Sequence, residues 1–384
     1  MRTRSALLVA VILIAILTSA AYYYTYPRNI SKSMPQHELY NITMAVSQEV
    51  EEIRNLTFKE QPQIIIVNRS WAVQEWRSSP ANLEEAKMWE EIYKLTLFAP
   101  PTYNYTKTQE AVKASWIAAT SGNKMYIIEE NFKETGDTAY RVIAHELTHI
   151  LQKHYFDPSY PSTLDGRLAI TALIEGDADL TADIYCIKHN ITIHKIRSLP
   201  LDDPPMALGY FPYVYGDKFV EFLYNTGGWE LVNEAYNKPP LSTEQIMHPK
   251  KYLIYEKPKK VSITIAKGYQ IIHRDTMGEF YVYLLIGTHL GADEASSVAE
   301  GWEGDTLVFL KNSTHEAVIW KTLWESEKDA REFYGAMRAI IEKTKRNIPH
   351  SILPPSCRLM EVRFCLQALK RSNWGLNYDS EIYN

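Results

Sequence analysis

Cysteine is scarce in this chain. Only Cys186, Cys357 and Cys365 occur in 384 residues, too few to staple a small loop-rich scaffold. The last two are near enough in sequence to close one short disulfide in an oxidising compartment. That leaves Cys186 over, and its place in a helical pattern reads as a small buried hydrophobe. An excess of positive charge is also missing. The formal net charge is -5, which gives no basic footprint for nucleic acid. No repeat or low-complexity segment stands out, which excludes solenoids, and the one stalk-like stretch is the polar, proline-flanked "PRNISKSMPQ" after the tyrosines. After the N-terminus no apolar run is long enough to span a membrane. What remains is an ordinary globular composition, 46% apolar and 23% charged, with room for one large domain or two modest ones.

The N-terminus holds the one long apolar run. Arg2 and Arg4 precede "ALLVAVILIAILTSAA", 16 residues from Ala6 to Ala21, and "YYYTY" follows. At about 1.5 Å per residue this run and part of the tyrosine flank just cross a hydrocarbon core of roughly 30 Å. The basic residues would stay cytoplasmic and the tyrosines sit at the interface. The expectation is a single-pass cell-membrane anchor with the remainder extracytoplasmic. The rival is a signal peptide cleaved near Thr18-Ser19-Ala20-Ala21, which would release a secreted protein. Seven N-x-S/T sequons, from Asn29 to Asn312, and 26 tyrosines are compatible with export.

Along the chain, apolar spacing predicts helices in "ELYNITMAVSQEVEEIRNL", "ANLEEAKMWEEIYKLTLF", "DTAYRVIAHELTHILQKHYF" and "GRLAITALIEGDADLTADIYCIKHN". Asp137 is placed to cap the third. "QIIIVN" and "NKMYIIEENF" read as strands. "DKFVEFLYNTGGWELVNEAYN" reads as a helix interrupted at Gly227-Gly228, and "KPPLSTEQIMHPKKYLIYEKPKK" as an exposed loop. "TLVFLKN" and "EAVIWKTLW" alternate like a hairpin. The predicted fold class is α+β: a mainly helical core, a small sheet beside the central helix, and an N-terminal transmembrane helix. Its parts are an anchor or signal segment (1–26), an N-terminal α/β part (27–135), a catalytic core (136–250) and a C-terminal α+β region (251–384).

The chemistry concentrates in "VIAHELTHIL", Val142 to Leu151. Residues four apart on a helix point the same way, so His145 and His149 present two imidazoles to one point. Zinc accepts neutral imidazole and, in catalytic sites, takes three protein ligands with one position left open. Glu146, one step from His145, lies beside that point and suits a general base. The best third ligand is Glu175, 26 residues after His149 in "ALIEGDADL". Asp179, one helical turn later, can take the ring N–H of a ligating histidine. Read blandly, Glu175, Asp179 and Asp183 would be a solvated acidic stripe.

With HELTH followed by EGDAD, the chain resembles the gluzincin branch of zinc metallopeptidases, the thermolysin-like set of two histidines and a glutamate. The match runs from Val142 to Asp179. Its flanks, with "FPYVYG", "STEQIMHPKKY" and "GWEGD", are similar to poorly characterised membrane-anchored prokaryotic members of that branch. The resemblance implies a zinc-dependent metallopeptidase acting on a peptide or protein substrate. It also implies an oxyanion-stabilising residue downstream of Glu175. Tyr213 and Tyr215 at a sharp turn, and His248, are the candidates, and His248 is preferred. "KMYIIEEN" is expected to be the sheet edge that receives an extended peptide. Two alternatives stay open: an inactive zinc-binding or interaction protein with the same fold, and hydrolysis of a non-peptide amide.

Overall fold

The computed structural model describes residues 35–75, 80–105, 117–265, 268–347 and 364–368. In chain order its elements are α1 (Gln36–Arg54), β1 (Gln63–Val67), α2 (Arg69–Glu75), α3 (Pro80–Leu95), β2 (Ala118–Ser121), β3 (Lys124–Ile128), α4 (Glu129–Thr135), α5 (Thr138–Tyr155), α6 (Leu164–Lys188), α7 (Pro204–Asn237), α8 (Thr243–Met247) and α9 (Pro249–Leu253). They continue with β4 (Gln270–Asp275), α10 (Glu279–Leu290), α11 (Ala292–Ala299), β5 (Trp302–Lys311), β6 (Glu316–Trp324), α12 (Glu327–Asn347) and β7 (Phe364–Ala368).

Helix α6 is the axle of the molecule. Ala169, Ala172, Leu173, Glu175, Ala178, Asp179 and Ala182 are all buried, so the helix is covered on nearly every side rather than on one stripe. Helices α1, α5, α7 and α8 surround it. The closest approach is to α7, where Gly176 and Gly216 let the two backbones touch. A Cβ on Gly176 would lie 2.1 Å from the Gly216 carbonyl oxygen. Thr163 caps the start of α6 by accepting a hydrogen bond from Gly166 N–H at 3.2 Å. Replacing Thr163 by alanine is expected to cost about 1 kcal/mol in denaturant unfolding, as other caps of this kind do. An unchanged midpoint would show that the cap contributes nothing.

The same end of α6 is pinned by the C-terminal half. The Asp165 carboxylate accepts from Thr243 N–H at 2.7 Å and from its hydroxyl at 2.6 Å, and Asp165 N–H donates to the Thr276 carbonyl. Leu164 N–H donates to Asp275 at 2.6 Å. Asp305 in turn accepts from Met277 N–H, Gly278 N–H and the Trp302 indole. Gly278 has φ 87°, and a Cβ there would meet Asp165 Oδ1 at 2.0 Å, so only glycine fits.

The fold expectation is corrected here. The fold is mixed helix and strand, mainly helical, with two separate small sheets instead of one and no described membrane helix. The first sheet has the order β1-β3-β2, the second β4-β5-β6-β7. Strand β3 ("KMYII") is therefore the middle of its sheet, parallel to β1 and antiparallel to β2. It is not the edge that sequence suggested. The strand beside α5 is β2, whose Thr120 hydroxyl donates to the Glu146 carbonyl at 3.1 Å. The predicted hairpin is present as β5 and β6.

Two further local expectations change. "STEQIMHPKKY" is not an exposed loop: it forms α8 and α9, with Ser242 to Ile246 buried. Tyr213 and Tyr215 do not stand at a turn, because Phe211, Pro212 and Tyr213 are buried inside continuous α7. That packing outweighs the hydrogen bond that proline removes. The Gly227-Gly228 interruption of α7 is as expected, with Gly228 at φ 65°.

The membrane-anchored, extracytoplasmic placement is also corrected. Among the described residues no helix is long and apolar enough to cross a membrane. Helices α6 and α7 are long but charged, with Asp165, Arg167 and Asp177 on one and Asp217, Lys218 and Glu221 on the other. Helix α10 is apolar but has 12 residues, about 18 Å at the helical rise. The run Ala6–Ala21 lies outside the described residues, as does Cys357 and with it the suggested Cys357–Cys365 pairing. Cys186 is a buried free thiol.

Candidate metal centre

Helix α5 buries Ile143, Ala144, Leu147, Ile150 and Leu151 against the core. This leaves His145 and His149 turned toward α6. The histidine rings are 4.7 Å apart between centroids and meet at 89°. Glu175, fully buried on α6, faces both. Its Oε2 is 3.1 Å from His145 Nε2, and its Oε1 is 3.7 Å from His149 Nε2. One donor atom from each of these three residues lies within 4.8 Å of the others. The sequence-predicted trio is thus brought together by two helices.

His149 Nε2 and Glu175 Oε1 are buried without a hydrogen-bond partner among the described residues. An orphaned buried polar group costs about 1–3 kcal/mol, and a cation held by these residues would satisfy both atoms. Two imidazoles and a carboxylate at this spacing match the donor set zinc prefers. A second cluster of three carboxylates, Glu244, Glu256 and Glu325, differs because the Lys251 ammonium already sits among them at 2.5–3.4 Å.

The charges around the trio are buried too, which removes the solvated-stripe reading of α6. Asp179 Oδ1 bonds His145 Nδ1 at 3.0 Å and accepts from Arg141 at 2.7 Å. Arg141 also donates to Asp183 at 2.9 Å, and Lys195 bridges Asp183 and Asp217 at 2.6 and 2.7 Å. Burial acts to raise the Asp179 pKa, but Arg141, His145 and Lys195 together hold it well below the usual carboxylate range. For His145, burial opposes the charged ring. Hydrogen bonds to Asp179 and Glu175 win, and the pKa rises to about 10. A cation at Nε2 would compete with a proton there. Burial, then the His145 charge, push His149 the other way, toward the neutral form a ligand needs. Burial raises Glu175.

Glu146 is buried close enough for its charge to act on His149 and Tyr213, and among the described residues its carboxylate accepts no hydrogen bond. Tyr213, which sequence placed second to His248, is the downstream residue facing the trio. Its hydroxyl is buried without a well-directed hydrogen bond. Burial and the charges of Glu175, Asp179 and Glu146 raise its pKa far above an ordinary phenol's. Tyr160, which sequence reasoning did not single out, also feels Glu175, and burial first among the causes raises it. No pattern in the chain marks Tyr160, because it sits in the loop between α5 and α6. His248 is engaged elsewhere. Its Nε2 bonds Glu279 at 2.8 Å, and that bond above all raises its pKa, with Lys251 and Glu244 as charged neighbours. Tyr215 packs on Phe211 and Phe280.

Among known proteins, no curated protein and no solved structure matches the chain. Two family models match parts of it. Residues 268–351 match one described as a domain of unknown function, DUF8575, which takes in β4 through α12. Residues 104–155 match the eCIS core domain. That stretch ends with α5, so it includes His145, Glu146 and His149 and stops short of Glu175. Neither description names a peptidase, and the gluzincin resemblance rests on the ligand pattern. The chain is thus similar to the eCIS core domain over the segment that carries its two facing histidines, and to DUF8575 over a separate C-terminal segment.

Proposed function

We propose that the protein is a zinc-dependent peptidase in which His145, His149 and Glu175 hold the ion and Glu146 is the general base. The observation that carries this reading is the convergence of two orphaned buried atoms, His149 Nε2 and Glu175 Oε1, on His145 Nε2. Zinc bound there would supply Lewis acidity, lowering the pKa of a water to about 7 and polarising a carbonyl. The Glu146 carboxylate, free of other hydrogen bonds, accepts the proton of the attacking water and returns it to the leaving amine nitrogen. Asp179 holds the His145 ring and its tautomer. The Tyr213 hydroxyl, kept protonated by its surroundings, would donate to negative charge developing on the carbonyl oxygen. An extended peptide would lie along β2, the strand tied to α5 through Thr120.

Purified full-length protein is expected to contain about one zinc per chain by elemental analysis, on the strength of its three-ligand set. A chelator should remove it and lower the melting temperature, since a ligand bound only by the folded state stabilises that state. Folded protein that takes up no stoichiometric zinc would sink the metal reading.

A further inference from the structure

Each of the two histidines has its second ring nitrogen held, but by unlike groups. His145 Nδ1 meets the Asp179 carboxylate. His149 Nδ1 instead meets a neutral amide, Gln152 Oε1, at 2.8 Å. The orientation of that amide is settled by its other side. Gln152 Nε2 lies 2.9 Å from the Ile174 carbonyl and 3.1 Å from Asp177 Oδ2. Both are acceptors only, so both amide hydrogens are used there and a flipped amide would set oxygen against oxygen. Gln152 therefore offers His149 an acceptor. The hydrogen must sit on His149 Nδ1, and the lone pair on Nε2, the atom that faces Glu175.

Asp177 is fixed in its turn. Arg54, the last residue of α1, pairs with it at 2.9 Å between Nε and Oδ1, and Tyr236 donates to Oδ2 at 2.8 Å. Arg54 also donates to Asn233 at 2.8 Å and lies 4.1 Å over the Trp229 ring. Arg54, Asp177 and Gln152 are each at most 2% exposed. Burying an arginine–aspartate pair costs several kcal/mol of desolvation per ion before any attraction is counted, so its presence two links from His149 calls for a reason.

We infer that Gln152, Asp177 and Arg54 are positioning residues that fix the ring and tautomer of His149, so that α1 acts on the metal centre without touching it. The inference rests on the metal reading for its purpose. The relay itself is measurable without metal.

The test uses the metal-free full chain with 15N-labelled histidine and long-range 1H–15N spectra, the His149 signal being identified by its loss in His149→Gln. Wild-type His149 is expected to carry its hydrogen on Nδ1. In Gln152→Met, of similar size but without the acceptor, the tautomers should mix and the zinc dissociation constant should rise about 10–100-fold. The double variant Arg54→Met/Asp177→Asn leaves no unpaired buried charge and should weaken zinc in the same direction by a smaller factor. It also serves if Gln152→Met does not fold. Variants with a lowered melting temperature but wild-type tautomer and zinc affinity would overturn the inference, because the relay would then be structural only. So would wild-type His149 carrying its hydrogen on Nε2. A wild-type chain with the Nδ1 hydrogen that nonetheless takes up no zinc would uphold the relay and overturn the metal reading.

Discussion

Glu146→Gln is expected to cut peptide hydrolysis by roughly 10²–10⁴-fold, the usual contribution of a positioned general base, while zinc content and melting temperature stay at wild-type values. Glutamine keeps the size of the side chain and removes only its ability to take a proton. Glu146 is not one of the three converging donors, and its carboxylate carries no hydrogen bond among the described residues that the change would break. The loss should therefore fall on turnover rather than on binding. A peptide library read by mass spectrometry, with wild type and variant side by side, checks this. Equal cleavage by both proteins would remove Glu146 from the mechanism. A zinc-loaded wild type that cleaves nothing would leave a metal protein without peptidase activity.

Gly176→Ala is expected to destabilise the protein by about 3 kcal/mol, the upper end of ordinary overpacking. The added methyl would lie 2.1 Å from the Gly216 carbonyl oxygen, 2.5 Å from its carbon and 2.8 Å from Val220 Cγ2. Backbone cannot yield as a side-chain tip can, so α6 and α7 must part. Because Glu175 is the preceding residue, zinc affinity should fall with stability. Gly335→Ala is the control: it lies in α12 with nothing within 4 Å of an added Cβ. There the change should stabilise by about 0.5–1 kcal/mol, since glycine is a poor helix former. A Gly176→Ala protein that melts like wild type would mean that the two helices are not in backbone contact.

The parts of the site legible in the sequence were those that depend on spacing along one element. His145 and His149 are one turn apart, as are Glu175 and Asp179, and their periodic apolar neighbours set the direction in which they face. Spacing could not say whether the acidic row of α6 meets water or protein. Arg141 and Lys195 decide that, from 38 residues upstream of Asp179 and 12 beyond Asp183. The Arg54–Asp177 pair, 123 residues apart, was invisible for the same reason. The turn expected at Tyr213 is absent, because burial of Phe211 and Pro212 carries the helix through. Short elements with weak patterns were missed, among them β2 ("AATS") and the helices within "STEQIMHPKKY". Strand β4 was missed as well, although the β5–β6 hairpin it extends into the second sheet was expected.

The knot of Asp165, Thr243, Asp275 and Gly278 at the head of α6 has a consequence for any recombination of this chain. The glutamate at 175 is aimed by a helix whose starting point is set from beyond residue 270, across more than a hundred positions of sequence. The segment holding the two histidines and the segment beyond 268 match separate families, but here they share one mechanical frame. A chimera that exchanges either segment alone is expected to inherit every ligand and still lose their common focus.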